Sequence, residues 1–389
     1  MINTYKLNLL LNYFLIIGVF TLNTTIISNI LLLSFLIIIT IVNYKQISIN
    51  TFEKIILFLF IVPCVVVSFL FDFDTQQFIR FLQIVLIIYL FPTTSFFLFK
   101  NKKLIFLIIL YIFIIQLSLG FNINIVSSFV ENNYPISDEI NNFNYINYND
   151  STSLIDFISS RFGGYFHNPN ILAGNIYLLT CLYIGNITPD KDFNKLQLLI
   201  IISIAFISIF LSGSRTVLIT FFITILFGLK KQIKSFLIPL SLMFGIFLFS
   251  FFSSLIQELS NARIFSNIFS LFSDKGDSGY SKYFGFYKYF RDYKYNDINE
   301  FIAFLFGRMG WNYQFDVDLG YLLSFFGIIG TAMILVYLML LYIRSKREMR
   351  FMFFIFLISI GATIIMNFRF VIIALYLISM TYNLKSKRV

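Results

Sequence analysis

Apolar residues run through this chain in long unbroken blocks rather than at alternating positions. A helix that spans a bilayer needs about 20 mainly apolar residues, and roughly twelve segments fit that length. They lie near residues 7–22, 26–42, 55–71, 78–98, 104–120, 171–187, 196–212, 215–229, 235–257, 319–343, 351–367 and 369–384. The pattern therefore predicts an all-α polytopic membrane protein with about 12 transmembrane helices.

Two long polar segments divide these predicted helices into three groups. Five helices occupy 1–120, four occupy 171–257, and three occupy 319–389 together with a C-terminal tail. The separating segments, 121–170 and 258–318, are long for loops, and loops of that length in a compact protein are usually functional. We expect the chemistry to lie in these two segments or at the helix ends beside them.

Composition excludes an ordinary water-soluble protein. The chain is 58% hydrophobic and 12% charged, whereas soluble domains carry about 25% charged residues. If the N-terminus is cytoplasmic, the cytoplasmic segments hold 18 of the 29 basic residues and four of the 19 acidic ones. This is the bias of the positive-inside rule. It predicts N- and C-termini in the cytoplasm, two long extracytoplasmic loops, and a net charge that reflects topology rather than a nucleic-acid partner.

The remaining composition argues against metal and disulfide chemistry. Cys64 and Cys181 lie in apolar blocks and are expected to be small core residues. With a single histidine in the chain, neither a zinc site nor a disulfide framework is expected. The first apolar block has no small-residue cleavage site, so we expect it to remain as a signal anchor.

The first long loop ends in RFGGYFHNPN, residues 161–170, immediately before the sixth predicted helix. Its paired glycines permit close backbone approach, and Asn168 followed by proline favours a turn. Asn170 is expected to cap the next helix, and a helix N-terminus at the outer face binds anions. The alternative is that Arg161 and His167 are interfacial residues that extend to lipid headgroups.

Arg215 lies in a very short predicted outer turn, LSGSRT at 211–216. An arginine beside lipid is costly unless it has a partner, and intramembrane ionisable residues are functional candidates by default. Its planar guanidinium matches phosphate in a bidentate manner. We therefore expect Arg161 and Arg215 to hold a diphosphate together.

The second long loop mixes cations with aromatic residues. Arg263 lies near its start, and tyrosines alternate with lysines and arginine over 280–295. This pattern is typical of a helix that lies in the membrane interface, and a lid over a lipid-linked substrate is the alternative.

Arg308 and Asp318 lie near the end of the same loop, and Tyr321 follows as the tenth predicted helix begins. A carboxylate at a helix start is favoured by the helix dipole alone. The functional alternative for Asp318 is a general base beside an acceptor hydroxyl.

Three strings resemble landmarks of the O-antigen ligase and polymerase superfamily. They are RFGGYFHNPNILAG, LSGSRTVLI and FGRMGWNYQFDVDLGYLLSFFGIIG, and they span roughly 160–330 in the family's order. The ligase branch commonly has a histidine before the tenth helix, whereas this chain has Asp318-Leu-Gly-Tyr321 there. The chain therefore resembles most closely the Wzy-type polymerases of O-antigen or capsular polysaccharide.

The resemblance implies a C-type glycosyltransferase-like fold in the bacterial cytoplasmic membrane. Its substrates would be undecaprenyl-diphosphate-linked oligosaccharides, as donor and acceptor, without a metal, another cofactor or a nucleotide sugar. Arg161 and Arg215 occupy the positions that bind the diphosphate, and Asp318 or His167 would accept the acceptor proton. The expected substrate-binding residues are Asn168, Asn170, Arg263, Arg308 and Tyr321. A flippase and a chain-length regulator are the implied protein partners, and the bilayer is the implied surroundings.

Two other functions fit parts of the pattern. A ligase would transfer finished polymer to an acceptor through the same diphosphate chemistry. A flippase or transporter of lipid-linked oligosaccharides, a different class, also commonly has about twelve helices. Transporters usually show internal repeats with interrupted helices, and no convincing repeat is visible here.

Overall fold

A computed structural model describes the chain over twelve ranges. They are 4–22, 26–43, 62–67, residue 70, 101–121, 123–133, 164–166, 169–186, 195–225, 297–307, 318–344 and 368–381. Nearly all of these residues are helical, and within these ranges none lies in a strand. The predicted all-α class is confirmed for this part of the chain.

The α-helices of these ranges have clear bounds. They are α1 Thr4–Thr21, α2 Ile26–Val42, α3 Lys102–Gly120, α4 Asn124–Asn133, α5 Pro169–Gly185, α6 Lys195–Ser212, α7 Arg215–Ile223, α8 Ile298–Phe306, α9 Asp318–Arg344 and α10 Phe368–Thr381. A short helical stretch covers 62–67, and a single 3-10 turn covers Gly164–Phe166.

Eight of these helices coincide with apolar blocks of the sequence, whereas α4 and α8 lie inside the two predicted long loops. Local signals explain several helix ends. The Asn101 side chain accepts a hydrogen bond from the Leu104 N–H at 3.1 Å and caps α3. The Asp297 side chain accepts from the Asn299 N–H at 2.9 Å and caps α8. These are the capping geometries that such residues favour.

Helix α3, with 19 residues, is the one helix in the described ranges that is both long and apolar enough to cross a membrane. Four further apolar helical segments are shorter: Lys6–Thr21, Ile27–Val42, Leu196–Ser212 and Leu322–Tyr337. The number of spans therefore stays a prediction.

The chain divides into two compact units. Unit 1 comprises Met1–Val19, Asn29–Phe99 and Ser278–Val389. Unit 2 comprises Phe20–Ser28 and Lys100–Asp277.

In unit 1, buried polar contacts pair the first helix with α10. The Tyr376 hydroxyl donates to Asn12 Oδ1 at 2.6 Å, and the Arg369 guanidinium donates to the Val19 carbonyl at 3.0 Å. The contact residues are seven apart on each helix and run in opposite order. Helices α1 and α10 are therefore antiparallel.

Helices α1 and α2 are antiparallel as well. Asn43 follows the end of α2 and donates from Nδ2 to Asn8 Oδ1, near the start of α1, at 3.0 Å. These relative directions are those that the predicted alternation of spans requires.

Helix α9 is interrupted, which the apolar block at 319–343 did not indicate. The backbone leaves helical geometry at Gly327, with φ of 64°. Gly307, which ends α8, has φ of 92°. A methyl group on Gly307 would overlap the Phe325 carbonyl, and one on Gly327 would overlap the Leu305 carbonyl. Glycine is required at both positions because two backbones touch there.

Candidate functional site

The described core of unit 2 contains three helices packed around α5. Residues 172–184 of α5 are all buried, and α3, α6 and α7 each contact α5. The C-terminal ends of α3 and α6 lie together. Gln116 and Ser208 each lie four residues before the end of their helix, and Gln116 Nε2 donates to the Ser208 carbonyl at 3.0 Å. The Ser208 hydroxyl donates in return to Gln116 Oε1.

Helices α5 and α7 run in the same direction, because both begin beside the ends of α3 and α6 and contact each other again further along. Tyr177 lies eight residues after Pro169, the first residue of α5, and Thr224 lies nine residues after Arg215, the first residue of α7. Their hydroxyls are hydrogen-bonded at 3.0 Å. Since one helical residue rises about 1.5 Å, the two helices begin at nearly the same level.

The 3-10 turn at 164–166 packs against two of these helix ends. Gly164 has φ of 54°, and a Cβ built on it would lie 3.1 Å from Leu172 Cδ1 and 4.0 Å from Gln116 Cβ. The turn therefore lies against the start of α5 and the end of α3. We call this region, formed by the ends of α3 and α6, the starts of α5 and α7 and the turn at 164–166, the loop end of unit 2.

The tight turn predicted between two helices at 212–215 is confirmed. Helix α6 ends at Ser212, Gly213 adopts φ of 65°, and α7 begins at Arg215. The Gly213 N–H donates to the Phe210 carbonyl at 2.9 Å, and the Leu218 N–H donates to the Ser214 carbonyl at 2.9 Å. Glycine accepts this left-handed conformation without the steric cost that other residues bear.

Two helix N-termini with no acidic residue in their first turns meet at the loop end. The N-terminal end of a helix carries partial positive charge. Ser214, which precedes α7, makes no side-chain cap, and the next residue is Arg215. The arrangement is suited to a bound anion.

The structure brings two of the predicted site residues to this end. Arg215 is the first residue of α7, and Asn170 is the second residue of α5. The prediction that Asn170 caps the helix is wrong, because α5 already begins at Pro169. Proline is favoured at a first helical position, where its missing N–H costs nothing.

Two further predicted site residues lie in α9. Asp318 and Tyr321 are the first and fourth residues of α9 in unit 1. The remaining predicted residues lie outside the described ranges: Arg161, His167, Asn168, Arg263 and Arg308. Among the described residues, no three His, Cys, Asp or Glu side chains form a group suited to a metal ion.

Sequence reasoning missed the buried polar side chains just below the loop end. Gln116, Asn175 and Ser208 are at most 1% exposed. Each is a single polar residue within an apolar block, and such residues commonly hold helices together in a bilayer. The sequence feature that could have identified them is their position near a helix end, which is four to six residues away in each case.

Comparison with known proteins finds no relative of this chain. No protein-family model matches it, and neither a curated protein nor a solved structure matches it.

Proposed function

We propose that this chain is a membrane glycosyltransferase that polymerises undecaprenyl-diphosphate-linked repeat units at the outer face of the bacterial cytoplasmic membrane. The observation that supports this most directly is the loop end of unit 2. Residues 161–174 and 211–219 are two separate strings of the family-like pattern. The helices that start within them, α5 and α7, begin side by side at the loop end.

The chemistry at such a site is mainly charge stabilisation. The acceptor hydroxyl oxygen bonds to the anomeric carbon of the donor, and the bond from that carbon to the diphosphate oxygen breaks. The electron pair of that bond leaves with the diphosphate. Two helix N-termini and Arg215 would stabilise this charge as it develops. The proposed step requires neither a metal nor a nucleotide sugar.

The roles of the remaining predicted residues are part of the proposal. Arg161 would complete the diphosphate clamp with Arg215. Asp318, or alternatively His167, would accept the proton of the acceptor hydroxyl. The residues proposed to bind the saccharides are Asn168, Asn170, Arg263, Arg308 and Tyr321.

The distribution of polar and apolar side chains supports a membrane location. Asn12, Gln116 and Ser208 are buried, whereas Leu10 and Phe14 on α1 are 51% and 52% exposed. Other outward-facing positions are also large and apolar: Ile27, Ile30, Ile41, Leu107, Ile114 and Ile219. In a bilayer, apolar residues face the lipid, and polar residues stabilise contacts between helices.

Arg215 provides the first test. A strain that lacks the gene is complemented with the wild-type protein, Arg215→Ala, Arg215→Lys or Lys195→Ala, and surface polysaccharide is separated on a gel. Lys195 begins α6 at the opposite end from the turn, so it controls for the loss of one positive charge. We expect full laddering with wild type and Lys195→Ala, single repeat units with Arg215→Ala, and shorter or fewer chains with Arg215→Lys, which keeps the charge without the fork.

The same gel separates the alternatives. Normal polymer with Arg215→Ala, at wild-type abundance in the membrane, would contradict the clamp. Full-length polymer retained on its lipid carrier in the deletion strain would identify a ligase. An unchanged ladder in the deletion strain would exclude the polymerase.

One observation favours a lipid-linked oligosaccharide transporter as the second candidate. Helix α9 is interrupted at Gly327, and transporters build their sites at interrupted helices. Thr331, four residues further on, is 3% exposed and its hydroxyl has no hydrogen-bond partner within the described part of the chain. Lipid-linked repeat units accumulating at the inner face in a deletion strain would support this alternative.

A further inference from the structure

Asn175 is an exception among the buried amides in the described part of the chain. It lies in α5, its side chain is 0% exposed, and neither Nδ2 nor Oδ1 has a hydrogen-bond partner among the described residues. A buried amide without partners is costly, and buried polar groups in native proteins are nearly always paired. The amide therefore has hydrogen-bonding capacity that a bound ligand would satisfy.

Other buried amides show what a structural role looks like here. Asn12 donates to the Asn8 carbonyl at 2.8 Å and accepts from the Tyr376 hydroxyl at 2.6 Å. Asn43 donates to the Ile39 carbonyl at 2.7 Å and also to Asn8 Oδ1. Gln116 uses both of its amide atoms on Ser208. Each of these side chains joins helices or closes a helix end, whereas Asn175 does neither.

The position of Asn175 points to the loop end of unit 2. It lies six residues after Pro169, the first residue of α5. The Cα–Cβ bond of a helical residue tilts toward the helix N-terminus, so the amide is directed toward the first turn of α5. Helix α7 begins at nearly the same level, as the Tyr177–Thr224 hydrogen bond shows.

We propose that Asn175 is a substrate-binding residue whose Nδ2 donates a hydrogen bond to a phosphate oxygen of the lipid diphosphate. The first turn of α5 and the start of α7 would surround the same group, and the amide oxygen would accept from water that enters with the headgroup. This inference rests on the proposed function, since it places a further donor in that diphosphate site.

The two buried cysteines allow a direct test. Cys64 and Cys181 are buried thiols, so a maleimide dye that fluoresces on reaction with thiols reports unfolding of the purified full-length chain in detergent. Undecaprenyl diphosphate is the added ligand, and its Kd follows from the rise of Tm with its concentration. The variants are Asn175→Leu, Arg215→Ala and Asn12→Leu.

For Asn175→Leu we expect opposite effects on stability and binding. Without lipid, its Tm equals or exceeds that of the wild type, because leucine has a similar volume and removes an unpaired amide. With lipid, binding is about 10- to 100-fold weaker, which is the usual effect of losing a hydrogen bond to a charged group. Asn12→Leu is the matched control, with a lower ligand-free Tm and an unchanged Kd.

Each other outcome has a distinct meaning. If the wild type shows no shift, or if Arg215→Ala binds as the wild type does, the proposed diphosphate site itself is wrong. If Arg215→Ala loses binding but Asn175→Leu keeps the wild-type Kd, the role of Asn175 is wrong while the site stands. Asn175→Ala, measured alongside, decides the question by its Kd if the leucine variant does not fold.

Discussion

At the scale of single residues, polar side chains in the interior hold this chain together. Asn8, Asn12 and Asn43 are linked by hydrogen bonds, and Tyr376 joins that cluster from α10. Hydrogen bonds between helices in a membrane are worth about 0.6 kcal/mol on average and up to about 1.7 kcal/mol. In the proposed membrane location, such bonds would specify which helices pair, because lipid and leucine are equally apolar.

The Asn12–Tyr376 hydrogen bond gives a quantitative prediction. In a double-mutant cycle of Asn12→Leu and Tyr376→Phe, we expect a coupling energy of about 0.6 to 1.7 kcal/mol, from reversible unfolding in mixed micelles. Ser34→Ala serves as the control, because Ser34 donates only locally, to the Ile30 carbonyl of its own helix. Tyr376→Phe and Ser34→Ala should be additive. A coupling near zero in the first cycle would mean that this bond does not hold α1 to α10.

At this scale the sequence predicted some site features and missed others. The turn around Gly213 was predictable because a short polar string interrupts two apolar blocks. The start of α5 was misplaced because proline at a helix start was read as part of a preceding turn. Asn175 was missed because an unpaired amide is visible only once its neighbours are known.

At the scale of helices, the contact between the end of α8 and the interruption of α9 is the most constrained feature. Gly307 and Gly327 both have positive φ, and each faces the backbone of the other segment. Apolar pattern alone did not predict the interruption, since glycine is common within transmembrane helices. The two glycines are twenty residues apart, and their segments touch through backbone atoms. Hydropathy reflects side chains only, so it cannot predict such a contact.

Alanine substitutions at three glycines test this contact. We expect Gly307→Ala and Gly327→Ala to lower Tm strongly or to prevent folding, because a methyl group overlaps a backbone carbonyl and positive φ is strained. Gly330→Ala is the control within the same helix. Its new methyl group would lie 2.7 Å from Phe326 Cβ, an atom fixed to the backbone, and 3.2 Å from Cys64 Sγ. Its φ is not positive, so we expect a loss from crowding alone that is smaller than the loss at the other two positions. Equal losses at all three positions would show that the backbone contact is not the cause.

At the scale of the whole molecule, each compact unit contains one buried thiol. Cys64 lies in unit 1 and Cys181 in unit 2. Hydropathy located eight of the helices but did not indicate this division, because unit 1 combines Met1–Val19 with Ser278–Val389. Pairing over such distances depends on contacts between particular side chains, and the periodicity of one segment contains no information about its partner.

Single-cysteine variants follow the two units separately. In Cys181→Ala the dye reports on Cys64, and in Cys64→Ala it reports on Cys181. We expect Tyr376→Phe to lower the labelling temperature of Cys64 while leaving that of Cys181 nearly unchanged, since local opening in proteins follows cooperative units. The two single-cysteine parents without Tyr376→Phe are the controls. Equal shifts at both thiols would indicate one cooperative structure.

The pairing of α1 with α10 also sets a condition on biosynthesis. Asn12 and Tyr376 are 364 residues apart, and Val19 and Arg369 are 350 apart. At a translation rate of about 5 to 20 residues per second, the partners of α1 are synthesised roughly 20 to 70 seconds after α1 itself. During that time Asn12 lacks its Tyr376 donor. A nascent chain stalled before residue 368 would therefore lack these two contacts, and α1 would be more accessible to proteases.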